Sequence, residues 1–409
     1  MDFYQYESRL NRPLMMKLAE FQSNQRLKHL IFTPQFDLEL LEHLGNVADM
    51  VRNFSETKEG CEFLSSLLHH KRAMLYFTQP STRTFLSFLA ACQLLGLRFA
   101  EVRDPSVSSE AKGESPYDSI RMFSSYFDLI VIRSVISNFA ECCAYLMNDL
   151  EEFNHRNVPI INGGSGSDEH PTQALLDVYT IQRTFQFSHS RDSSRWTRFD
   201  ELRQKHPKLT KGLDRKAYGF CGDIGRGRTV RSLASLLALY DDVTMYFIAP
   251  DHPKLKLSQD LRARLTERGV RVVEVDSFEE VVDGRPVIEQ LDCLYMTRIQ
   301  HEHDAPEDKA ALGKIDLKKY CLTTELVARM KEHAPILHPF PRDSRLWEIP
   351  TEIDSDPRAM YFRQARNGMW VRAALLAYLF DVDGRIASQY HKDFGVFHDY
   401  NAGPVPVAG

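Results

Sequence analysis

The sequence has no large charge of either sign and no long apolar run. Its 51 Lys and Arg residues nearly balance 56 Asp and Glu residues, which leaves a formal net charge of −5. This balance argues against binding to nucleic acid or a membrane surface through bulk charge. No apolar run approaches membrane-spanning length, and the start, MDFYQYESRL, lacks the basic and then apolar pattern of a signal peptide. We therefore expect no nucleic-acid partner and no membrane partner.

Paired cysteine motifs are also missing. The seven cysteines form an odd, scattered set without C-x-x-C spacing, and several lie in apolar runs. Buried thiols in a reducing compartment explain this pattern most simply, so we expect a cytoplasmic protein. No metal site is predicted, because His301, His303 and the pair His69 and His70 lack a convincing set of further ligands.

Short β-type runs alternate with helical patterns through most of the 409 residues. The runs are RAMLYF, RFAEV, DLIVIR, VPIIN, AYGFCGD, VTMYFIA, RVVEV, DCLYMTR and PILHPF. This alternation predicts an α/β fold with parallel sheets and crossover helices. A chain of this length is too long for one ordinary core, so we expect two domains. The first helix is predicted to follow Thr33 as N-cap and Pro34 as first helical residue.

Two segments depart from the alternation. The polar segment from about 185 to 211 separates two βα series, and it holds seven Lys or Arg against three Asp or Glu between Arg191 and Lys211. It is either a solvated surface excursion with a short helix or a basic docking site. The tail after Phe380, which ends NAGPVPVAG, is expected to be poorly ordered.

The stretch FTQPSTRTFLSF places three hydroxyls and a guanidinium where a strand turns into a helix. A helix that begins near Ser81 presents unpaired backbone N–H groups and a positive dipole end, and Arg83 adds a fork suited to phosphate oxygens. The stretch therefore predicts an anion site. In the alternative interpretation, Ser81 only caps the helix and Arg83 forms a surface ion pair.

STRT after a strand closely resembles the carbamoyl-phosphate motif of the aspartate and ornithine carbamoyltransferase family. Seven further motifs follow in the family's order: KGES, IVIRS, DEHPTQALLD, GDIGRGRTVRS, YMTRIQHE, HPFPR and YFRQARNG. Together they run from residue 77 to about residue 380. The first two dozen residues, the polar segment and the last two dozen lie outside the resemblance.

The resemblance implies two α/β domains, each with a parallel β-sheet flanked by helices, joined by interdomain helices. The expected carbamoyl-phosphate domain comprises residues 1–172 and 365–409, and the expected aspartate domain comprises residues 173–364. The implied catalytic residues are Arg83, Thr84, Arg133 and His170. The implied carbamoyl-phosphate contacts are Ser81, Thr82, Arg83, Thr84, Ser108, Lys112, Arg133, His170 and Gln173. The implied aspartate contacts are Lys112, Arg228, Arg298, Gln300, Phe340 and Pro341.

The family's reaction is the transfer of a carbamoyl group from carbamoyl phosphate to an amino-acid amine, and it requires no cofactor. In the family, the residues matching Ser108 and Lys112 come from a neighbouring subunit, so the resemblance implies a homotrimer with shared sites. A larger assembly with regulatory chains or a partner enzyme stays open. For His170 taken alone, a helix-capping or core histidine is the alternative to a carbonyl donor.

The acceptor is expected to be L-aspartate, with N-carbamoyl-L-aspartate as a product on the route to pyrimidines. Two carboxylates call for guanidiniums, which Arg228 and Arg298 supply. Ornithine-type members carry Ser-Met-Gly and Cys-Leu-Pro where this chain has TRIQ and HPFP. The alternatives are a carbamoyltransferase for another amino acid, such as ornithine or acetylornithine, and a non-catalytic scaffold.

The stretch GFCGDIGRGRTVRS also admits a dinucleotide site, since a strand and three glycines precede a helix. The spacing of Gly222, Gly225 and Gly227 is not G-x-G-x-x-G, although Asp251 imitates a ribose-binding acid.

The chain departs from the usual aspartate-type pattern at several positions. These departures are Gln79, Phe85, Ser134, His303 and Phe340, together with a loop extended by RLWEIP after HPFPR. Gln79 and His303 replace the partners of a usual ion pair, so domain closure is expected to depend less on charge. The departures bear on substrate fit and regulation more than on the chemistry.

Overall fold

The structure is a computed structural model that describes residues 4–23, 26–104, 109–154, 157–166, 169–186, 198–299 and 315–394. The chain packs as two compact units. The first comprises Met1–Leu176 and Arg366–Phe397, and the second contains Asp177–Ala365. Their boundaries fall inside two helices, Pro171–Thr184 and Tyr361–Leu379, each of which therefore runs from one unit into the other.

The first unit contains a four-stranded parallel sheet in the order β4-β3-β5-β6 and a small antiparallel pair, β1 and β2. The strands are β1 Gln22–Ser23, β2 Arg26–Leu27, β3 Arg72–Phe77, β4 Arg98–Val102, β5 Leu129–Arg133 and β6 Ile160–Asn162. The register pairs Phe77 with Arg133. The carboxyl ends of the two central strands consequently lie side by side, where parallel sheets place ligands.

The helices of the first unit cover the sheet and carry its crossover connections. They are Tyr4–Leu10, Leu14–Glu20, Leu38–Phe54, Lys58–Ser66, Thr82–Leu94, Pro116–Tyr126, Phe139–Asn154, Pro171–Thr184, Tyr361–Leu379 and Asp383–Phe394, with 3-10 turns at Thr33–Gln35 and Ser109–Lys112.

The predicted start of the first helix is wrong. Pro34 lies in the 3-10 turn, and the α-helix begins at Leu38 after Asp37, whose carboxylate accepts a hydrogen bond from the Leu40 N–H. An aspartate cap at the next available turn therefore starts the helix, and two short helices precede it.

The second unit contains a five-stranded parallel sheet in the order β13-β12-β7-β8-β9 and an antiparallel pair, β10 and β11. The strands are β7 Ala217–Cys221, β8 Thr244–Ile248, β9 Arg271–Val275, β10 Val281–Val282, β11 Arg285–Pro286, β12 Cys293–Met296 and β13 Ile336–Leu337. Cys221 pairs with Met296, so β7 and β12 also end together.

The described helices that lie wholly in this unit are Arg198–Lys205, Arg228–Leu237, Gln259–Glu267, Val287–Gln290 and Thr324–Arg329, with 3-10 turns at Leu317–Tyr320 and Thr351–Ser355. The polar segment contains the expected short helix, Arg198–Lys205, of which Phe199 and Leu202 are buried. Residues 187–197 of that segment lie outside the described residues.

The expectation of a poorly ordered tail is wrong for Asp383–Phe394, which form a helix. Ile386 is fully buried, and the Asp383 carboxylate is hydrogen-bonded by Arg26 and His43. These contacts outweigh the polar composition on which the expectation depended. The remaining tail, 395–409, lies outside the described residues.

The predicted fold class is confirmed: two α/β units, each with a parallel sheet flanked by helices, are joined by helices that run between them. All seven cysteines are free thiols, and Cys61 is exposed while Cys321 is half-buried. Among the described helices, none has both the length and the apolar character needed to cross a bilayer.

Candidate active site

The turn after β3 leads into the Thr82–Leu94 helix, which we call the STRT helix. Ser81 is its N-cap residue and has extended backbone angles, yet its side chain makes no capping hydrogen bond within the described part of the chain. The interpretation in which Ser81 only caps the helix is therefore not supported. The Ser81 hydroxyl lies beside the start of the helix, where the positive end of the helix dipole favours an anion.

Arg83 and Thr84 occupy the first turn of the STRT helix with opposite exposure. Arg83 is exposed, and partial desolvation by the surrounding protein lowers the pKa of its guanidinium from the usual 12.5. An arginine shifted in this way still carries its charge near neutral pH. Thr84 is buried, and its carbonyl accepts a hydrogen bond from Ser87 Oγ at 3.0 Å. The first turn of the STRT helix thus has the Arg83 guanidinium at the surface and the Thr84 side chain in the interior.

Arg133 and His170 converge on Gly164. Arg133 ends β5, is buried, and donates from Nη1 to the Gly163 carbonyl at 3.1 Å. A Cβ atom built on Gly164 would lie 2.6 Å from His170 Cδ2 and 2.8 Å from Arg133 Nη1. Gly164 also has φ +93°, which favours glycine. The absent side chain therefore lets the imidazole and the guanidinium approach the same point.

Asn162 holds the loop that contains this glycine. Its Oδ1 accepts hydrogen bonds from the N–H groups of Gly164 and Ser165, at 2.9 and 3.0 Å. Its Nδ2 donates to the carbonyl of Glu169, the residue before His170, at 3.1 Å. One buried amide thus fixes both the glycine turn and the approach to His170. Sequence reasoning missed Asn162, although the run NGGSG, which begins at the last residue of β6, was an available signal.

The HPTQ helix, Pro171–Thr184, begins directly after His170. The His170 carbonyl accepts from the N–H groups of Gln173 and Ala174, at 3.0 and 3.1 Å. His170 is buried, with an exposed fraction of 4%. The backbone of His170 thus starts the helix while its ring packs against Gly164.

Gln79 connects the STRT turn to the neighbouring strand. Its N–H donates to the Arg133 carbonyl at 3.1 Å, which ties the two strand ends together. The side-chain oxygen of Gln79 is buried and finds no hydrogen-bond partner among the described residues. Its predicted partner, His303, lies outside them.

Two further predicted phosphate contacts, Ser108 and Lys112, belong to another part of the first unit's sequence. Lys112 is exposed at the end of the Ser109–Lys112 turn. Ser108 lies outside the described residues.

In the second unit, a close backbone contact brings the ends of β7 and β12 together. A Cβ atom on Gly222 would lie 2.2 Å from the Thr297 carbonyl oxygen, and Thr297 Oγ1 accepts from the Asp223 N–H at 2.9 Å. Arg228 starts the helix after the β7 turn, and Arg298 directly follows Thr297. Both arginines are half-buried. The predicted Gln300 lies outside the described residues.

Contacts within the chain explain the other two glycines of this turn, which weakens the dinucleotide interpretation. A Cβ atom on Gly225 would meet the carbonyls of Lys254 and Lys256 at 2.4 and 2.6 Å. A Cβ atom on Gly227 would lie 2.3 Å from the Asp223 carbonyl. In a dinucleotide site, glycines leave room for the pyrophosphate. Here backbone carbonyls of the same chain lie at the positions that side chains on these glycines would take.

The HPFP turn is held by two buried hydrogen-bond systems that sequence reasoning missed. The Phe340 N–H donates to His338 Nδ1 at 2.8 Å, which leaves Nε2 protonated, and Nε2 donates to Glu348 Oε1 at 2.9 Å. The His338 N–H donates to Gln364 Oε1 at 2.9 Å. Glu348 belongs to the extended loop RLWEIP, so this loop braces the turn.

The predicted contacts Phe340 and Pro341 form the tip of the HPFP turn. Phe340 has φ +58° and is half-buried, with its ring 5.9 Å from that of Tyr361 and 5.4 Å from that of Phe362. A bulky residue with positive φ is uncommon, so the surrounding hydrogen bonds must hold it there. Among the described residues, no group of three or more His, Cys, Asp or Glu side chains is arranged to hold a metal ion.

Comparison with protein families gives two matches that together cover most of the chain. Residues 28–183 match "Aspartate/ornithine carbamoyltransferase, carbamoyl-P binding domain", and residues 214–379 match "Aspartate/ornithine carbamoyltransferase, Asp/Orn binding domain".

Individual relatives agree with these matches. A chloroplastic aspartate carbamoyltransferase 1 of Pisum sativum is 38% identical over 87% of this chain and 79% of its own length. The aspartate carbamoyltransferase catalytic subunit of Clostridium novyi is 37% identical over 87% of this chain and 99% of its own.

Among solved structures, the catalytic subunit of M. jannaschii aspartate transcarbamoylase superposes with a TM-score of 0.66 and 32% identity, covering 87% of this chain and 98% of its own. The Trypanosoma cruzi enzyme in complex with N-(phosphonacetyl)-L-aspartic acid superposes with a TM-score of 0.69 and 29% identity, covering 88% and 98%.

Proposed function

We propose how the residues described above act in this chain, which belongs to the aspartate/ornithine carbamoyltransferase family. The chain is a carbamoyl-transferring enzyme that converts carbamoyl phosphate and L-aspartate into N-carbamoyl-L-aspartate and phosphate. The observation that carries the assignment of residues is the convergence of Arg133 and His170 on Gly164, beside the start of the STRT helix.

The first unit binds carbamoyl phosphate in this proposal. The phosphate lies over the first turn of the STRT helix, where Ser81, Thr82 and the backbone N–H groups donate to it and Arg83 supplies charge. Gln173 accepts from the carbamoyl NH2. The exposure of the Arg83 side chain at this turn supports the assignment, since a dianion arriving from solvent meets the guanidinium first.

Three groups polarise the carbamoyl carbonyl: the Thr84 hydroxyl, the Arg133 guanidinium and the His170 imidazole. Their burial supports this role, because donors fixed in a low-dielectric site stabilise a developing oxyanion without rearranging. Arg133 and His170 are already placed against one another by Gly164 and Asn162.

The second unit binds L-aspartate. Arg228 and Arg298 pair with its two carboxylates, assisted by Gln300, and the HPFP turn contacts the substrate through Phe340 and Pro341. The shared end of β7 and β12 supports the pairing of these arginines, since each follows one of the two strands.

The chemical step is acyl transfer. The uncharged α-amine of aspartate attacks the carbamoyl carbon, a C–N bond forms, and a tetrahedral oxyanion results. The C–O bond to phosphate then breaks, and the departing phosphate takes the proton released by the amine. No electrons are exchanged, and no cofactor is required by this balance.

The homotrimer with shared sites, in which Ser108 and Lys112 come from a neighbouring subunit, belongs to the proposal as well. The exposure of Lys112 at the end of the Ser109–Lys112 turn supports it. A cytoplasmic location and a place in pyrimidine synthesis are further parts of the proposal. The seven free thiols support a reducing compartment.

Steady-state assays of the purified protein with carbamoyl phosphate test the proposal. We expect carbamoyl transfer to L-aspartate and none to ornithine or acetylornithine. Transfer to either of the latter would reassign the acceptor. A folded, oligomeric protein that transfers to none of the three would indicate a non-catalytic family member.

A further inference from the structure

The helix Tyr361–Leu379, which we call the NG helix after its Asn367-Gly368 pair, carries a buried arginine that contacts neither substrate in the proposed function. This residue, Arg372, has an exposed fraction of 2%. Its Nη1 donates to Ser87 Oγ at 2.7 Å, and its Nη2 donates to Thr172 Oγ1 at 3.4 Å. Its guanidinium lies 4.8 Å from the ring centre of Phe88. One side chain thus contacts two other helices of the first unit.

Both contacts lead directly to site residues. Ser87 Oγ, which accepts from Arg372, donates in turn to the Thr84 carbonyl at 3.0 Å. Thr172 lies in the first turn of the HPTQ helix, two residues after His170. The guanidinium therefore bonds to the second turn of the STRT helix and to the first turn of the HPTQ helix. Thr84 lies in the first turn of the STRT helix, and His170 directly precedes the HPTQ helix.

A neighbouring glycine makes room for this guanidinium. Gly368 lies one helical turn before Arg372, and a Cβ atom built on it would lie 2.4 Å from Arg372 Nη1. Burying a guanidinium is costly unless its N–H groups are bonded, and glycine inside a helix is unfavourable relative to alanine. The buried guanidinium of Arg372 and the helical Gly368 are both unfavourable, and they lie side by side. A guanidinium that fixes the distance between the STRT helix and the start of the HPTQ helix explains why both are present.

We propose that Arg372 is a positioning residue for carbamoyl transfer, which holds Thr84 and His170 in register by bonding to Ser87 and Thr172. The proposal rests on the function proposed above. Arginine suits the task because its rigid fork bonds to two acceptors at once, whereas a lysine ammonium on a flexible stem does not fix their separation. Displacing a reacting group by about 1 Å is enough to lower a rate by about 10²-fold.

Three variants of the full-length protein test this role. Arg372→Met removes the fork at similar volume, and Arg372→Lys keeps the charge without the fork. Gly368→Ala keeps Arg372 but places a methyl group where Nη1 now lies, while alanine favours the helix. We expect each variant to lower kcat at saturating substrates, by about 10²-fold for Arg372→Met. We also expect weaker binding of inorganic phosphate by calorimetry, by about tenfold, because the STRT helix shifts.

Arg26→Met is the matched control. Arg26 donates to the carbonyl of Tyr378 at 2.5 Å and lies 4.0 Å from the centre of its ring, so it contacts the far end of the same NG helix. We expect this control to lower Tm by a few degrees, while kcat measured about 10 °C below Tm stays at the wild-type value.

A merely structural arginine would give a different result. All variants, the control included, would then lose Tm and keep both kcat and phosphate affinity, and this outcome overturns the inference while leaving the proposed function intact. A wild-type protein that transfers no carbamoyl group instead refutes the proposed function. In that case the role of Arg372 is judged from the affinity for inorganic phosphate alone. Equal affinity in the wild type and in Arg372→Met overturns the inference.

Discussion

His338 and Glu348 form a buried pair in which the imidazole Nε2–H donates to the carboxylate at 2.9 Å. Glu348 accepts in addition from the Asp343 N–H, at 3.0 Å to Oε2. The extended loop after HPFPR therefore supports the turn that holds Phe340. The loop's carboxylate reaches back ten residues to the histidine that begins the turn.

Glu348→Gln should weaken aspartate use. The amide replaces a charged acceptor and turns an NH2 group towards a donor, which costs about 1.5–3 kcal/mol for a hydrogen bond to a charged group. We expect a lower kcat/KM for aspartate with little change in phosphate affinity. Glu352→Gln, at an exposed position, is the control and should behave as wild type. Equal kcat/KM for aspartate in Glu348→Gln and Glu352→Gln would show that the Glu348 hydrogen bonds do not affect aspartate binding.

Gly164→Ala tests the convergence of Arg133 and His170. The added methyl would displace both side chains, so turnover should fall by about 10²-fold, the usual cost of one misplaced oxyanion donor. Gly269→Ala is a matched control, because Gly269 has φ +80° and open space around its Cβ position. Both variants should lose about 1 kcal/mol of stability from backbone strain. If kcat falls equally in both, strain rather than the contact is responsible.

The acid stability of the first unit should depend on His29. Burial disfavours the imidazolium and lowers the pKa of His29 from 6.5 to about 3, and Nδ1 accepts a hydrogen bond from the Ile160 N–H. Between these pH values the unfolded chain binds a proton that the folded chain does not. The stabilising contribution is complete above pH 6.5 and is lost as the pH falls towards 3.

Calorimetry of His29→Gln checks this linkage. The Tm of the wild type should fall more steeply from pH 6.5 to 4.5 than the Tm of the variant, by the equivalent of about 1.4 kcal/mol per pH unit. His70→Gln, at an exposed histidine, should keep the wild-type slope. Parallel slopes in all three proteins would mean that His29 is not neutral in the fold at mild acidity.

Arg298→Ala should act on the acceptor alone. Loss of one carboxylate partner should reduce kcat/KM for aspartate by about 1.5–3 kcal/mol in transition-state terms, while binding of inorganic phosphate stays unchanged. The exposed Arg268→Ala is the control. Loss of phosphate affinity in Arg298→Ala would contradict the division of roles between the two units.

Mixing Lys112→Ala subunits with Arg83→Ala subunits tests the shared site. If Lys112 acts on a neighbouring chain, some sites in mixed oligomers contain neither substitution, and activity should reappear in an otherwise inactive mixture. Subunit exchange is verified by native mass spectrometry. Exchange without recovery would indicate that each chain supplies its own lysine.

The alternation of strands and helices could be predicted because period and turn residues are local signals. The STRT turn could be predicted for the same reason, since its hydroxyls and arginine are contiguous. Arg372 could not, because its partners Ser87 and Thr172 lie far away in the chain. The hydrogen bonds of Asn162 to its own loop and of Glu348 to His338 join residues no more than ten positions apart, and both were missed although these partners are local. The start at Asp37 was missed because a Thr-Pro pair satisfies the same capping rules over a shorter turn. The helix Asp383–Phe394 was missed because its partners, Arg26 and His43, lie near the other end of the sequence.

The glycine turn after β7 also limits what this scaffold can become. The carbonyl oxygens of Thr297, Lys254 and Asp223 lie where side chains on its three glycines would begin, so each glycine is required by the packing of the chain itself. Substitutions that place side chains at Gly222 or Gly225 would therefore require the backbone at Thr297 or at Lys254 to move. A glycine-rich turn between a strand and a helix is therefore not, by its composition alone, a sign of a nucleotide site.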